Sequence, residues 1–403
     1  MSDSPIQVVA VVNGPGEVAA WLYPFADALR SQHPEVRLRA ALLPCVFASG
    51  QETAVLDGMP GIDAVCTPRA TLRWITRGET PPGFERAGRG CVVHFGGELM
   101  LSILLARRLR QPIVVYEEQR VRWSTLLDKV CVVNERVAGV NGNHKVRAVG
   151  NLMVDAARLR VPLRRTPNGG PHSVALFPGS RQYFVRQVLP FLLRVAAQVE
   201  RSVPGTTWVL SKSDFITHDE LGSLVGGSNH RVLEGDTAEW EDHTSRDVLV
   251  SSAGVRVRVV SPAQAMADAD LAITIPGTST AELAALGIPM ILALPTYRLH
   301  TLPLPGLAGH LGGIPVLGPA IKEAVARTYI RTRRFWAHPN RLADERIVPE
   351  LVGPISAADV ATEVTASLHA NGNGDMSKRL RLVMGEPGAA LRLVDEVLAT
   401  LRS

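Results

Sequence analysis

The chain has 403 residues, 46% of them hydrophobic and 20% charged, with a formal net charge of +5 and a pI near 9.2. That length exceeds one ordinary core and predicts two domains, and the composition is that of an ordinary globular protein. The cations are scattered and only five tyrosines and nine phenylalanines are present. A basic face interleaved with aromatics, the mark of nucleic-acid binding, is therefore missing, while mild attraction to an anionic membrane surface fits.

Apolar runs and helix-period segments alternate from the start. Runs at 7–12, 37–43, 91–95, 112–116, 130–133 and 146–149 read as strands, with helical segments such as 98–110 between them. This alternation predicts a parallel sheet wrapped by helices. The Pro- and Gly-rich stretch 161–172 (VPLRRTPNGGPH) reads as a linker. The pattern restarts with strands at 173–177, 207–210, 257–260, 271–275 and 288–294, and helical segments at 184–199 and 281–286. A polar stretch within 212–256 shows no clear period and reads as exposed connections. The expected fold is α/β, two doubly wound Rossmann-like domains facing a cleft. The first spans 1–165, the second 172–360, and a C-terminal helix within 375–403 is expected to return to the first.

No uncharged apolar run reaches the roughly 18–20 residues that span a bilayer, and the N-terminus MSDSPIQ has no leader-like pattern. Cys45, Cys66, Cys91 and Cys131 lack metal spacing, and three lie in or beside apolar runs, which points to a reduced cytoplasmic protein.

The first strand runs into Gly14-Pro15-Gly16-Glu17-Val18-Ala19, a G-x-G-x-x-A spacing. Three features oppose NAD there. Pro15 removes an N–H donor where a pyrophosphate would sit. Glu17 places a carboxylate at the positive end of the helix. Finally, no acidic residue closes the second strand to hold a ribose. Glu17 instead suits a helix-start charge or a group facing the cleft. The loop Phe95-Gly96-Gly97-Glu98 follows another strand, and Glu117-Glu118 ends the next. His94, in the strand before Glu98, reads as a core histidine or a second-choice base.

Two turns in the second domain suit phosphate. Gly179-Ser180-Arg181 lies between a strand and a helix and offers backbone donors with one cation. Gly277-Thr278-Ser279-Thr280 ends a later strand, and Glu282 follows within the first helical turns, placed to accept ribose hydroxyls. No D-x-D or carboxylate cluster calls for a metal, and no cofactor is expected beyond a UDP-sugar as substrate.

ALFPGSR (175–181), ADADLAITIPGTSTAELAALGIPMILAL and HPNRLADERIVPELVG together resemble the lipid-A-disaccharide synthase family, and the likeness runs through most of the chain. Its most specific piece is P-N-x-x-A-x-E-x-x-V-P-E-L from Pro339 to Leu351. The resemblance implies a B-type glycosyltransferase architecture. It also implies inverting transfer of an acylated hexosamine from a UDP-sugar to a glycolipid or lipid-like acceptor. Gly179, Ser180 and Arg181 would contact diphosphate or uridine, Gly277, Thr278, Ser279, Thr280 and Glu282 phosphate and ribose, and Gly16 and Glu17 the substrate. Asn340 and Glu345 would lie near the cleft. Glu98 takes the place of the family's proposed Asp base.

Two first-domain segments depart from the family pattern, at Gly16-Glu17-Val18-Ala19-Ala20-Trp21 and at 117–123, which leaves the acceptor open and marks a divergent branch. The rival activities are UDP-N-acetylglucosamine 2-epimerisation, with Glu98 and Glu117 as its acids, and nucleotide-sugar binding without transfer.

Residues 299–321 are apolar but broken by four prolines and five glycines, which rules out a spanning helix. Arg331, Arg333 and Arg334 beside Phe335 and Trp336 suit contact with anionic lipid. The expected location is therefore cytoplasmic, peripheral on the inner face of the cell membrane. The expected partners are a UDP-sugar, a lipid-like acceptor and the membrane surface, without nucleic acid; a homodimer is among the assemblies the sequence allows.

Overall fold

The computed structural model describes residues 6–45, 48, 50–84, 88–118, 124–138, 145–161, 172–226, 235–296, 332–369 and 373–401. The chain divides into two compact units, Met1–Leu159 with Gly385–Ser403, and Arg160–Met384. Most of the 161–172 stretch, the apolar 299–321 segment and Arg331 lie outside the described residues.

The first unit holds seven strands: β1 (Gln7–Val12), β2 (Arg37–Leu42), β3 (Ala64–Cys66), β4 (Gly90–His94), β5 (Ile113–Glu117), β6 (Lys129–Val132) and β7 (Val146–Ala148). They form one parallel sheet in the order β3-β2-β1-β4-β5-β6-β7. A parallel sheet is covered on both faces, so its central strands are apolar at every position rather than alternating. All six residues of β1 are accordingly buried. Two hydrophobic clusters cover the two faces.

The helix Ala389–Thr400 contributes Ala389, Leu393, Val394 and Val397 to the cluster that contains Val8, Phe25 and Tyr116. Asp155 fastens it, its carboxylate accepting the Gly388 and Ala390 N–H groups at 2.6 Å each. A carboxylate on orphan N–H groups acts with the helix dipole. The intervening helix, Asn373–Met384, belongs to the second unit.

The second unit holds β8 (Ser173–Phe177), β9 (Thr207–Ser211), β10 (Ala238–Trp240), β11 (Val248–Ser251), β12 (Arg256–Val260), β13 (Leu271–Thr274), β14 (Met290–Pro295) and β15 (Glu350–Gly353). Their order is β10-β11-β12-β9-β8-β13-β14-β15. Pairing is parallel from β12 to β15 and antiparallel across β10, β11 and β12.

The polar stretch 228–246, read as exposed connections, contains β10, and the residues flanking it form the helix His218–Val225 and β11. The helix is started by a Thr217/Glu220 capping box, a local signal that the polar composition hid. The strands of the first unit's β3 and of β10 have three residues each, too short for periodicity to reveal.

In the first sheet the chain builds outward from β1 to β3 and then returns to the other side of β1. In the second it runs from β8 to β9, re-enters at the edge with β10, comes back through β11 to β12, and then crosses to the other side of β8. The reversal falls between β1 and β4 in the first unit and between β8 and β13 in the second. Open α/β sheets bind ligands outside the carboxyl ends of the strands at such a point, because the flanking loops part in opposite directions.

Candidate functional site

Beyond β1, Gly14 precedes a helix that starts at Pro15 and has no side-chain cap. Glu17 folds back rather than pointing away from the sheet. A Cβ on Gly14 would stand 2.9 Å from its Oε2, and one on Gly96 would stand 2.6 Å from its Cγ. Glycine at both positions is what lets the Glu17 side chain lie between the loops after β1 and β4. Asn13 lies against the same loop, and its Oδ1 is buried without a hydrogen-bond partner among the described residues. Gly16 is half-buried in the same turn.

Glu98 is exposed and occupies the N-cap position of the helix Leu99–Leu109, but its side chain makes no capping bond. Its carboxylate is therefore not consumed by the helix that follows. His94 is 1% exposed, its Nδ1 sits 2.8 Å from Ser102 Oγ, and burial lowers its pKa to about 4. It is a neutral core histidine and drops out as a base.

Glu117, the last residue of β5, behaves differently. Burial pushes its carboxyl up to about 7, and the charges of Glu118 and Glu17 add to the rise. A carboxyl balanced near neutral pH is suited to giving and taking protons. The first unit thus presents Glu17, Glu98 and Glu117 on the loops and strand ends beyond β1, β4 and β5.

In the second unit, the helix Gln182–Ser202 follows β8 and the helix Thr278–Ala285 follows β13, the strand paired with β8. Neither N-terminus carries a side-chain cap: Arg181 and Gly277 occupy the N-cap positions and make no such bond. Two uncapped helix starts side by side leave N–H donors and two positive dipole ends at one place. Gly179 has φ +99, and a Cβ there would stand 2.8 Å from Ile275 Cδ1, so the two loops pack through it. A Cβ at Gly277 would meet nothing within 4 Å, so packing does not require that glycine. Ser180, Arg181, Thr278 and Ser279 are half-buried at this edge.

Thr280 is turned inward. Its hydroxyl donates to the Gly277 carbonyl at 2.8 Å and accepts the His338 N–H at 3.0 Å, so it holds the loop and is not placed for phosphate. Ser279 Oγ lies 2.9 Å from Thr274 Oγ1. Glu282 is buried and ion-paired with Arg160, a residue that no sequence spacing singled out. Burial holds its carboxyl above the ordinary value, with Arg160 opposing the rise.

The Pro339–Leu351 motif proves to be internal architecture. Asn340 is 0% exposed. Its Oδ1 accepts the Ile347 and Val348 N–H groups at 2.8 Å, and its Nδ2 donates to the Val348 carbonyl and to Glu350. Every polar atom of that amide is used in folding the motif, so Asn340 does not present itself to a ligand as expected. Glu345 is exposed and paired with Arg379. Arg333 lies 4.8 Å over the Trp336 ring and Arg334 4.8 Å over the Phe335 ring. These cations are stacked on aromatic faces, and Arg334 also pairs with Asp344 at 2.9 Å.

Among the described residues, no group of three or more His, Cys, Asp and Glu could hold a metal, and no helix is long and apolar enough to cross a membrane.

No family model matches the chain. It is similar to a lipid-A-disaccharide synthase of Anaeromyxobacter dehalogenans, 27% identical over 254 residues, covering 60% of this chain and 52% of that protein. The chain therefore spans about half the length of the curated relatives it matches. Among solved structures, UDP-GlcNAc 2-epimerase from Neisseria meningitidis bound to UDP-GlcNAc superposes with a TM-score of 0.57 at 12% identity, covering 98% of this chain and 100% of that one. MurG from Acinetobacter baumannii gives a TM-score of 0.52 at 16% identity, covering 98% and 99%. The fold is the B-type glycosyltransferase fold, and the resemblance to lipid-A-disaccharide synthases is borne out as a distant one.

Proposed function

We propose that the chain is a glycosyltransferase that takes a hexosamine, acylated as the sequence resemblance implies, from a UDP-sugar and joins it to a glycolipid or lipid-like acceptor. The observation that carries this reading is the pair of uncapped helix starts beyond β8 and β13, with Arg181 at one and Glu282 behind the other. That arrangement supplies N–H donors and a guanidinium for a diphosphate, and a carboxylate for a ribose. The leaving UDP gains charge as its bond to C1 breaks, and fixed donors aimed at it lower that barrier. Ser180 and Thr278 add hydroxyls at the same edge, and Ser279 braces the turn through Thr274.

The first unit supplies the base. Glu98, exposed and not spent on capping, accepts the acceptor hydroxyl's proton as that oxygen attacks C1, with inversion. Glu17 and Gly16 line the acceptor side. The chain works at the inner face of the cell membrane, where such an acceptor resides, with the stacked Arg333/Trp336 and Arg334/Phe335 pairs at the lipid surface. Glu117 favours one second reading, epimerisation at C2 of a UDP-sugar, because proton removal and return call for carboxyls of different affinity.

The test is incubation with UDP-N-acetylglucosamine and its 3-O-acylated and 2,3-diacylated forms, with and without a glycolipid acceptor. UDP released only when acceptor is present supports transfer. A stereoisomeric UDP-sugar without acceptor supports epimerisation, and binding without turnover refutes both.

A further inference from the structure

At the opposite edge of the first unit, where β4, β5 and β6 begin, lies a cavity of about 660 Å³. Its walls carry Arg89, Arg110, Lys129 and Lys145, with Asp128 as the acid among them. The volume is that of a small-molecule site. Asp128 is engaged by the Ile113 N–H at 2.9 Å, and Lys129 is paired with Glu396 at 2.8 Å.

Two helices, Leu99–Leu109 and Ala389–Thr400, end at this edge, and helix carboxyl ends attract cations. That accounts for Arg89, which donates to the Leu401 carbonyl at 3.2 Å; Lys145 donates to the Leu127 carbonyl at 2.9 Å. Arg110 stands at the carboxyl end of the helix Leu99–Leu109, yet its exposed guanidinium makes no ion pair or hydrogen bond among the described residues. Beside it, Gln111 Oε1 is buried and has no hydrogen-bond partner among the described residues. The Gln111 amide lies across Gly90, where a Cβ would stand 2.7 Å from its Cδ. A buried amide oxygen without a donor is costly. An unspent cation next to an unspent acceptor calls for a ligand that carries both an anion and a hydroxyl.

We propose that this cavity binds a phosphate ester bearing free hydroxyls, with Arg110 and Arg89 on the phosphate and Gln111 on a hydroxyl. The same chemistry occurs in a soluble sugar or glycerol phosphate and in the headgroup of an anionic lipid. The site lies at the amino ends of the strands, so it is separate from the residues of the proposed reaction and does not depend on that reading.

The test is calorimetric binding of inorganic phosphate and glycerol 3-phosphate to the full chain, and co-sedimentation with phosphatidylglycerol and phosphatidylcholine vesicles. The variants are Arg110→Gln and the double change Arg89→Gln, Arg110→Gln, which alter exposed side chains only; an unchanged melting curve checks their fold. Glycerol 3-phosphate should bind more tightly than phosphate, and the double variant should lose at least about tenfold, the effect of losing charged hydrogen bonds. Binding to phosphatidylglycerol vesicles that the double variant loses assigns the ligand to a lipid headgroup. Binding confined to the soluble ester assigns it to a metabolite. Failure of every probe to bind, or equal binding by the double variant, overturns the site.

Discussion

Replacing Glu117 by Gln separates the electrostatics of the first unit from its chemistry. The carboxyl is held at about 7, where the ordinary value is 4.5. The folded state therefore favours the protonated form, and the sign follows. Stability is fully present below pH 4.5 and is lost as pH rises through about 7, because ionising the group where it is buried, and beside Glu118 and Glu17, costs more in the fold than in the open chain. Each pH unit between the two values is worth about 1.4 kcal/mol, so the ionised group weakens the first unit by roughly 3 kcal/mol above pH 7. Gln has the same shape and no charge. Denaturant unfolding of Glu117→Gln and wild type, followed by the fluorescence of Trp21 and Trp74, should show equal stability near pH 4.5. At pH 8 the variant should be more stable by roughly 2–3 kcal/mol. Glu17→Gln, which removes one of the repelling charges, should recover a smaller part of the same gain. A pH-independent difference, or a variant less stable than wild type at pH 8, would refute the burial argument and with it the case for Glu117 as a proton carrier.

Glu98→Gln should lower transfer by about 10²–10⁴-fold while leaving UDP affinity intact, and Glu98→Asp should keep much more activity; steady-state rates with donor and acceptor decide this, and a Gln variant within a few-fold of wild type would move suspicion to Glu17 or Glu117. Glu282→Ala should weaken UDP binding by roughly 1.5–3 kcal/mol in calorimetry, the worth of a charged hydrogen bond to ribose; unchanged affinity would leave the Arg160 ion pair as its whole purpose. Asp155→Ala strips the Gly388 and Ala390 N–H groups of their acceptor and should cost roughly 2–4 kcal/mol. Hydrogen exchange should show the Ala389–Thr400 helix opening first, and exchange rates like wild type there would mean the apolar face alone holds that helix.

The residues by themselves determined the class of fold. The run Val8–Val12, apolar at every position and too short for a helix, fits a strand covered on both faces, and glycine before a helix start marked the turns after β1, β8 and β13. Those signals are local, a period or a turn within a few residues, and the chain's own spacing carries them. What Glu117, Thr280, Asn340 and Glu282 do was not local. Glu117 ends an apolar run like any strand-terminal acid with Glu118 as its chain neighbour, and only the fold buries it and brings Glu17 near enough to add to the rise in its pKa. Thr280 reads as a phosphate-binding hydroxyl until His338, 58 residues on, takes it. Asn340 reads as a ligand contact until the backbone at 347–348 uses its amide completely. Glu282 meets Arg160 across 122 residues of chain. Hydrogen-bond satisfaction and desolvation depend on which segments the fold brings together, so the sequence could nominate these side chains, but tertiary packing decided which of them still had an atom to offer.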